Sequence, residues 1–230
     1  MNTLKLTSIL FILPFLLSAQ RSKEIGAFVG VSQYQGDLAP SPVAANETQP
    51  AIGGAYRYLF NSNFGIRGTV TWGKYSGNDR NRPNYQEGDR DWSVKGSMVE
   101  LAVHSEWNFF GTNRYGNTGL YSRQYSPFFS VGLGVSMANM DLFVPSDDRN
   151  KIPEPDAVST FLAVPITVGL RLDLMQDFVL TAEFGSRAIF SDYLDGISAN
   201  GNPKANDWYF FAGISVFYIL DEVVGSRLGR

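Results

Sequence analysis

The 230-residue sequence predicts an all-β protein: an eight-stranded antiparallel transmembrane β-barrel behind a cleaved signal peptide. Three observations predict it. The N-terminus carries an export signal, eight later stretches alternate apolar with small or polar residues, and their connections are long on one side and mostly short on the other. In the export signal Lys5 supplies the positive start, residues 6–17 are apolar, and Ser18-Ala19-Gln20 offers small residues for cleavage. Residues 1–19 are therefore assigned to a signal peptide and 20–230 to the barrel with a short C-terminal tail. The apolar run falls short of the ~20 residues that a spanning helix needs, and Pro14 interrupts it.

The strands follow in order. The first two, about 24–35 and 51–58, carry Ile25, Val29 and Val31, then Ile52, Tyr56 and Tyr58. Residues 64–75 place Phe64, Ile66, Val70 and Trp72 on one face and Arg67, Thr69 and Thr71 on the other. Over 98–109 the apolar face is Val99, Leu101, Val103, Trp107 and Phe109, opposite Glu100, His104, Glu106 and Asn108. Residues 128–137 set Phe129, Val131, Leu133, Val135 and Met137 against serines and glycines. The clearest stretch is 161–173, where Leu162, Val164, Ile166, Val168, Leu170 and Leu172 alternate with Ala163, Thr167, Gly169, Arg171 and Asp173. Period two sustained for this long is a strand with two unlike faces. Pro165 lacks a ladder donor, which predicts a bulge or a barrel rim there. After the turn Met175-Gln176-Asp177, Phe178, Leu180, Ala182 and Phe184 alternate with Thr181, Glu183, Gly185 and Arg187. In 208–220, Phe210, Ala212, Ile214, Val216, Tyr218 and Leu220 face away from Gly213 and Ser215, with Phe211 and Phe217 making the second face less polar.

Segments 36–50, 78–91, 140–160 and 191–207 fall on one side and are rich in Pro, Asn, Asp and Gly, as loops should be. The other side has the short turns 59–63 and 175–177 and the longer 111–124. Long extracellular loops with short periplasmic turns are the outer-membrane pattern, which puts both termini in the periplasm. Aromatics at strand ends (Tyr56, Tyr58, Phe60, Trp107, Phe109, Phe110, Trp208, Tyr209) are expected to form interfacial girdles. A soluble β-sandwich would alternate in the same way, but the strand length, the export signal and the loop asymmetry favour the barrel.

Composition narrows the function. There is no cysteine, which excludes lipid attachment at Cys, disulfides, thiolate metal sites and Cys nucleophiles. Removing residues 1–19 takes one lysine from 19 basic residues, leaving 18 against 22 acidic, which is no footprint for nucleic acid. The mean hydropathy of -0.11 is that of an ordinary soluble protein. Alternating strands average their apolar face away, so the value fits a barrel.

An interior of eight strands is just wide enough to be filled by side chains. The expected inward charges are Arg57, Arg67, Glu100, Glu106, Arg171, Asp173, Glu183 and Arg187, an ion-paired plug, since buried charges are costly unless paired. His104, the only histidine, belongs to this network. Ser105 beside it points to the opposite face, so no Ser–His pair forms for hydrolysis of lipids. No catalytic residue, cofactor or metal site is assigned. The acidic stretch 146–156 lacks the spacing of a calcium loop and reads as solvated surface.

Specific segments carry a resemblance. Residues 24–38, ending in Tyr34, Gly36, Asp37 and Leu38, resemble the opening of a Bacteroidetes outer-membrane barrel family typified by PorG of the type IX secretion system. Residues 58–79, with Arg67 and Gly73, and 100–110, with Glu100, Glu106 and Asn108, are similar to its third strand and its middle. The resemblance implies a non-enzymatic outer-membrane component of a protein secretion machine, and in gliding species of a gliding machine, that stabilises a periplasmic ring of lipoproteins. Its partners would be outer-membrane lipids and those lipoproteins. The partner surface would comprise the periplasmic turns, above all 111–124 with Arg114 and Arg123, and the tail. The alternative from a different class is an OmpA/OmpX-like surface barrel acting in adhesion or ligand binding through its outer loops.

Overall fold

The computed structural model describes residues 21–35, 47–81, 91–115, 119–145, 158–189 and 208–223. The expected signal peptide, the motif residues Gly36, Asp37 and Leu38, the acidic stretch 146–156 and the end of the tail lie outside them. Eight strands are present: β1 Arg21–Gln35, β2 Gln49–Leu59, β3 Phe64–Asn78, β4 Ser93–Asn108, β5 Tyr125–Phe143, β6 Val158–Asp173, β7 Phe178–Ile189 and β8 Trp208–Val223. A 3-10 turn, Asp79–Asn81, follows β3. Each strand pairs antiparallel with the next, and β8 returns to β1, so the sheet closes and has no edge. The barrel therefore has two ends. One holds the connections β2–β3, β4–β5 and β6–β7 together with Arg21 and Val223 (the turn end), and the other holds the remaining connections (the loop end).

Side-chain parity decides which residues face in. On β4, Glu100, Ala102, His104, Glu106 and Asn108 are buried while Leu101, Val103, Ser105 and Trp107 are exposed. The same phase holds on β6, where Arg171 and Asp173 are buried and Leu162, Ile166, Val168 and Leu170 stand outside. The apolar faces thus form the outer wall, the inverse of a soluble sandwich.

The outer wall is banded. The register aligns Phe64, Trp107 and Phe129 at one margin and Trp72, Val99 and Met137 at the other. The next outward row, Lys74, Ser97 and Asn139, is polar. Eight residues separate the margins on β3, about 26 Å along the strand. An aromatic girdle rings the turn end: Phe64 stacks on Trp107 at 6.0 Å, Trp107 meets Phe109 at 4.5 Å and Phe178 meets Tyr218 at 5.3 Å.

Two expectations are corrected here. Pro165 makes neither a bulge nor a rim. Its partner Gly132 and the neighbouring Leu133 drop out of the β5–β6 ladder, which resumes at Gly134–Ala163 in unchanged register. A missing donor interrupts one ladder, and the partner strand on the other side still pairs Pro165 with Arg187. Tyr209 is not part of a girdle. It is fully buried on the inward face of β8.

Candidate functional site: the lumen network and the two ends of the barrel

The lumen is organised around arginines. Glu24 at the start of β1 accepts from two of them: Arg57 Nη1 at 2.9 Å and Arg171 Nη2 and Nη1 at 2.7 and 2.9 Å. Arg57 continues to Glu106 through Nε at 3.1 Å, and Asn108 Nδ2 donates to Glu106 Oε1 at 3.2 Å. Arg67 joins Glu106 at 3.7 Å to Glu183 at 2.5 Å. Nearer the loop end, Arg187 faces Glu100 at 3.3 Å, and the Tyr209 hydroxyl donates to Glu100 at 2.6 Å while sharing a 2.7 Å hydrogen bond with Ser136. Glu24, Arg57, Arg67, Glu100, Glu106, Arg171, Asp173 and Arg187 are all buried and Glu183 is partly exposed, so every one of these pairs except Arg67–Glu183 is desolvated on both sides. Sequence parity missed how the arginines are seated. Arg57 lies 3.9 Å from the Phe217 ring centroid and Arg187 4.6 Å from that of Phe211, so these two inward aromatics are stacking platforms for guanidinium groups.

His104 shares a 3.1 Å hydrogen bond with Thr69 through Nε2, and Ser105 is exposed on the opposite face. The hydroxyl that meets this histidine is therefore that of Thr69 and not of the adjacent serine. One cavity of about 10 Å³, lined by Arg67, Thr69, His104, Glu183 and Arg187, lies beside it. That volume accommodates about one water molecule and no organic substrate. Among the described residues no cluster of three acidic or histidine side chains could hold a metal ion.

The two ends are closed differently. At the loop end Tyr34, Tyr75, Trp92, Val94, Met140, Phe161 and Tyr209 pack into an apolar plug. Trp92 is brought in by the neck of the β3–β4 connection, where Asp79 N donates to Trp92 O at 3.0 Å and Trp92 N to Asp79 Oδ2 at 3.2 Å. Arg80 grips Asp91 at the same neck, and this hydrogen bond holds the Asp91 carboxyl below its ordinary range. At the turn end the closure is polar and centres on Arg114. This residue, expected on an exposed partner surface together with Arg123, is instead buried at 1% exposure, whereas Arg123 is exposed. Arg114 donates to Asp173 at 3.0 Å, to Glu222 at 3.1 Å, to the Met175 carbonyl at 2.9 Å and to the Gln176 carbonyl, and it lies over Tyr121 at 5.1 Å. Thr112 Oγ1 donates to Ser62 O at 3.1 Å and Asp173 N to Gln124 O at 2.9 Å. Gly111, at φ 77°, makes the left-handed bend that starts the segment inward. The described parts of the β4–β5 connection, 109–115 and 119–124, are thus tied to both neighbouring turns and to β8 across the barrel mouth.

Glu24 is a lumen charge that the expected inward set left out. Its signal was the phase of β1: with Ile25 and Val29 outside, Glu24 must point in. Of the resemblance residues that the structure describes, Tyr34 is buried in the loop-end plug and Asn108 sits beside Glu106.

The model of the family described as Domain of unknown function (DUF6089) matches residues 3–224. No curated protein matches the chain. Among solved structures, it is similar to Neisserial surface protein A at 12% identity and a TM-score of 0.47, over 87% of this chain and 97% of that one. It is also similar to the N-terminal β-barrel domain of Pseudomonas aeruginosa OprF at 16% identity and 0.43, over 88% and 98%. A third is Ail, the attachment invasion locus protein of Yersinia pestis, at 12% identity and 0.43, over 88% and 100%.

Proposed function

The chain belongs to the DUF6089 family, and from that premise we propose that it is a non-enzymatic scaffold of a bacterial outer membrane, a component of a type IX protein secretion machine that stabilises a periplasmic ring of lipoproteins. The observation that carries the scaffold reading is the sealed lumen. An apolar plug closes one end, the Arg114-centred cap closes the other, and paired charges fill the space between. Among the described residues the lumen cavity beside His104 is of water size, so this reading puts the working surfaces on the outer wall and the two ends. The banded exterior supports residence in a bilayer, where a closed barrel leaves no sheet edge unpaired. The resemblance of segments 24–38, 58–79 and 100–110 to the PorG-like family supports the assignment to secretion. The turn end, held rigid by Arg114, is in this reading the periplasmic face that meets the lipoproteins.

Deleting the gene tests the assignment. Cargo of the type IX machine should then accumulate inside the cell, and restoring the chain should restore export. Unimpaired export in the deletion strain would contradict the reading. If removal of the outer loops instead abolished attachment while export continued, the surface-barrel alternative would replace it.

A further inference from the structure

The outer wall is not uniformly convex. On the β2–β5 flank a shallow groove of about 670 Å³ opens around Gly54 and Gly68, walled by Tyr56, Val70, Leu101 and Val103. These two glycines differ from most others in the strands. A Cβ at Gly30, Gly73, Gly96, Gly132 or Gly213 would collide with backbone or ring atoms, so close packing requires glycine there. A Cβ at Gly68 would meet nothing within 4 Å, and one at Gly54 would make only ordinary contacts at 3.7 and 3.9 Å. Neither has a positive φ. Packing and backbone conformation therefore do not call for glycine at either position, although glycine weakens a strand interior. What their lack of a side chain provides is the groove itself.

Directly above, on the same flank, the first polar row carries a second hollow of about 610 Å³. Lys74 and Ser97 are register partners, and Lys95 pairs with Ser76, so Lys74 and Lys95 are diagonal neighbours on the outward face. Such neighbours lie about 7–8 Å apart, close enough for both ammonium groups to reach one anion. Asp141 stands opposite Lys95, and Glu47 is committed to the backbone amide of Asn78 at 3.1 Å. Among the described residues neither lysine forms an ion pair; Lys74 rests near the Trp72 ring at 5.9 Å. From Gly68 to Lys74 is six residues, about 20 Å along β3.

We propose that this flank holds one phosphate-headed lipid of the loop-side leaflet, with an acyl chain in the Gly54–Gly68 groove and the phosphate between Lys74 and Lys95. The charge selects an anionic head, and the apolar groove below it selects a chain attached to that head. The proposal rests on the barrel lying in a membrane and is independent of any role in secretion.

The test uses the full chain refolded in a sugar-headed detergent. It is mixed with dimyristoylphosphatidic acid or with dimyristoylglycerol, which has the same chains without phosphate, and bound lipid is read by native mass spectrometry. The wild type should retain one phosphatidic acid and little diacylglycerol. Lys74→Gln/Lys95→Gln should weaken retention about tenfold or more, the scale of losing a charge-assisted contact. Gly68→Leu, which fills open space, should do the same while the barrel keeps its heat-modifiable migration. Equal retention of both lipids would overturn the proposal, as would unchanged retention in either folded variant. A wild-type dimer that Gly68→Leu abolishes, with no lipid bound, would assign the groove to a second copy of the chain and overturn it equally.

Discussion

At the scale of single residues, the lumen separates charges that matter from charges that do not. Glu24 serves two buried guanidinium groups, so Glu24→Gln leaves Arg57 and Arg171 without their shared partner in a dry interior. Removing one member of a buried pair costs about 3–5 kcal/mol, and here Arg57 keeps Glu106 at 3.1 Å while Arg171 is left with Asp173 at 3.9 Å. The neighbouring residue provides the control. Lys23 reaches Asp221 at 3.2 Å with both side chains about half exposed, and Lys23→Gln should cost less than about 1 kcal/mol. Urea unfolding from detergent micelles, followed by tryptophan fluorescence, should show this contrast between adjacent positions. Equal effects would mean that the lumen is hydrated and the pairs are screened. His104 illustrates the opposite lesson. A lone histidine between two glutamates in sequence invites a catalytic reading, yet its recorded partner is a threonine hydroxyl.

At the scale of elements, the β4–β5 connection is the piece with the most distinctive behaviour. It is long for a turn, and it is held by one side chain that donates to β6, β8 and the β6–β7 turn. Arg114→Ala should release residues 112–124 while leaving the strands closed. Limited trypsin digestion then reports the change, since cleavage after exposed Arg123 should accelerate severalfold relative to the wild type; an unchanged rate would show that the cap does not depend on Arg114. The strands themselves were legible from sequence because period two is a local property, and all eight were placed by it. Their ends were less so. β5 runs on to Phe143 because Asn139 and Asp141 continue the alternation outside the apolar band, where polar outward residues resemble a loop. β1 begins at Arg21 for the same reason. The inward charges on strands were legible through parity, including Glu24 once the phase of β1 is followed. Arg114 and Trp92 were not, because residues outside a strand have no phase, and only the three-dimensional path of their segments turns them inward.

At the scale of the whole molecule, the barrel combines a sealed interior with a structured exterior. Among the described residues the lumen is divided into an apolar cluster at the loop end and an ion-paired body that reaches the turn end. Such a body is stiff, and stiffness is what a membrane anchor for a larger assembly requires. In the proposed reading the banded outer wall faces the bilayer, and the turn end around Arg114 presents a fixed surface to the adjacent compartment. Affinity capture of the tagged chain from gently solubilised outer membranes, read by mass spectrometry, tests the secretion scaffold most directly. Periplasmic ring lipoproteins should be recovered with the wild-type chain and lost when Arg114→Ala frees the turn-end cap. Recovery of the barrel without those lipoproteins, in membranes where the ring itself is intact, would contradict the account.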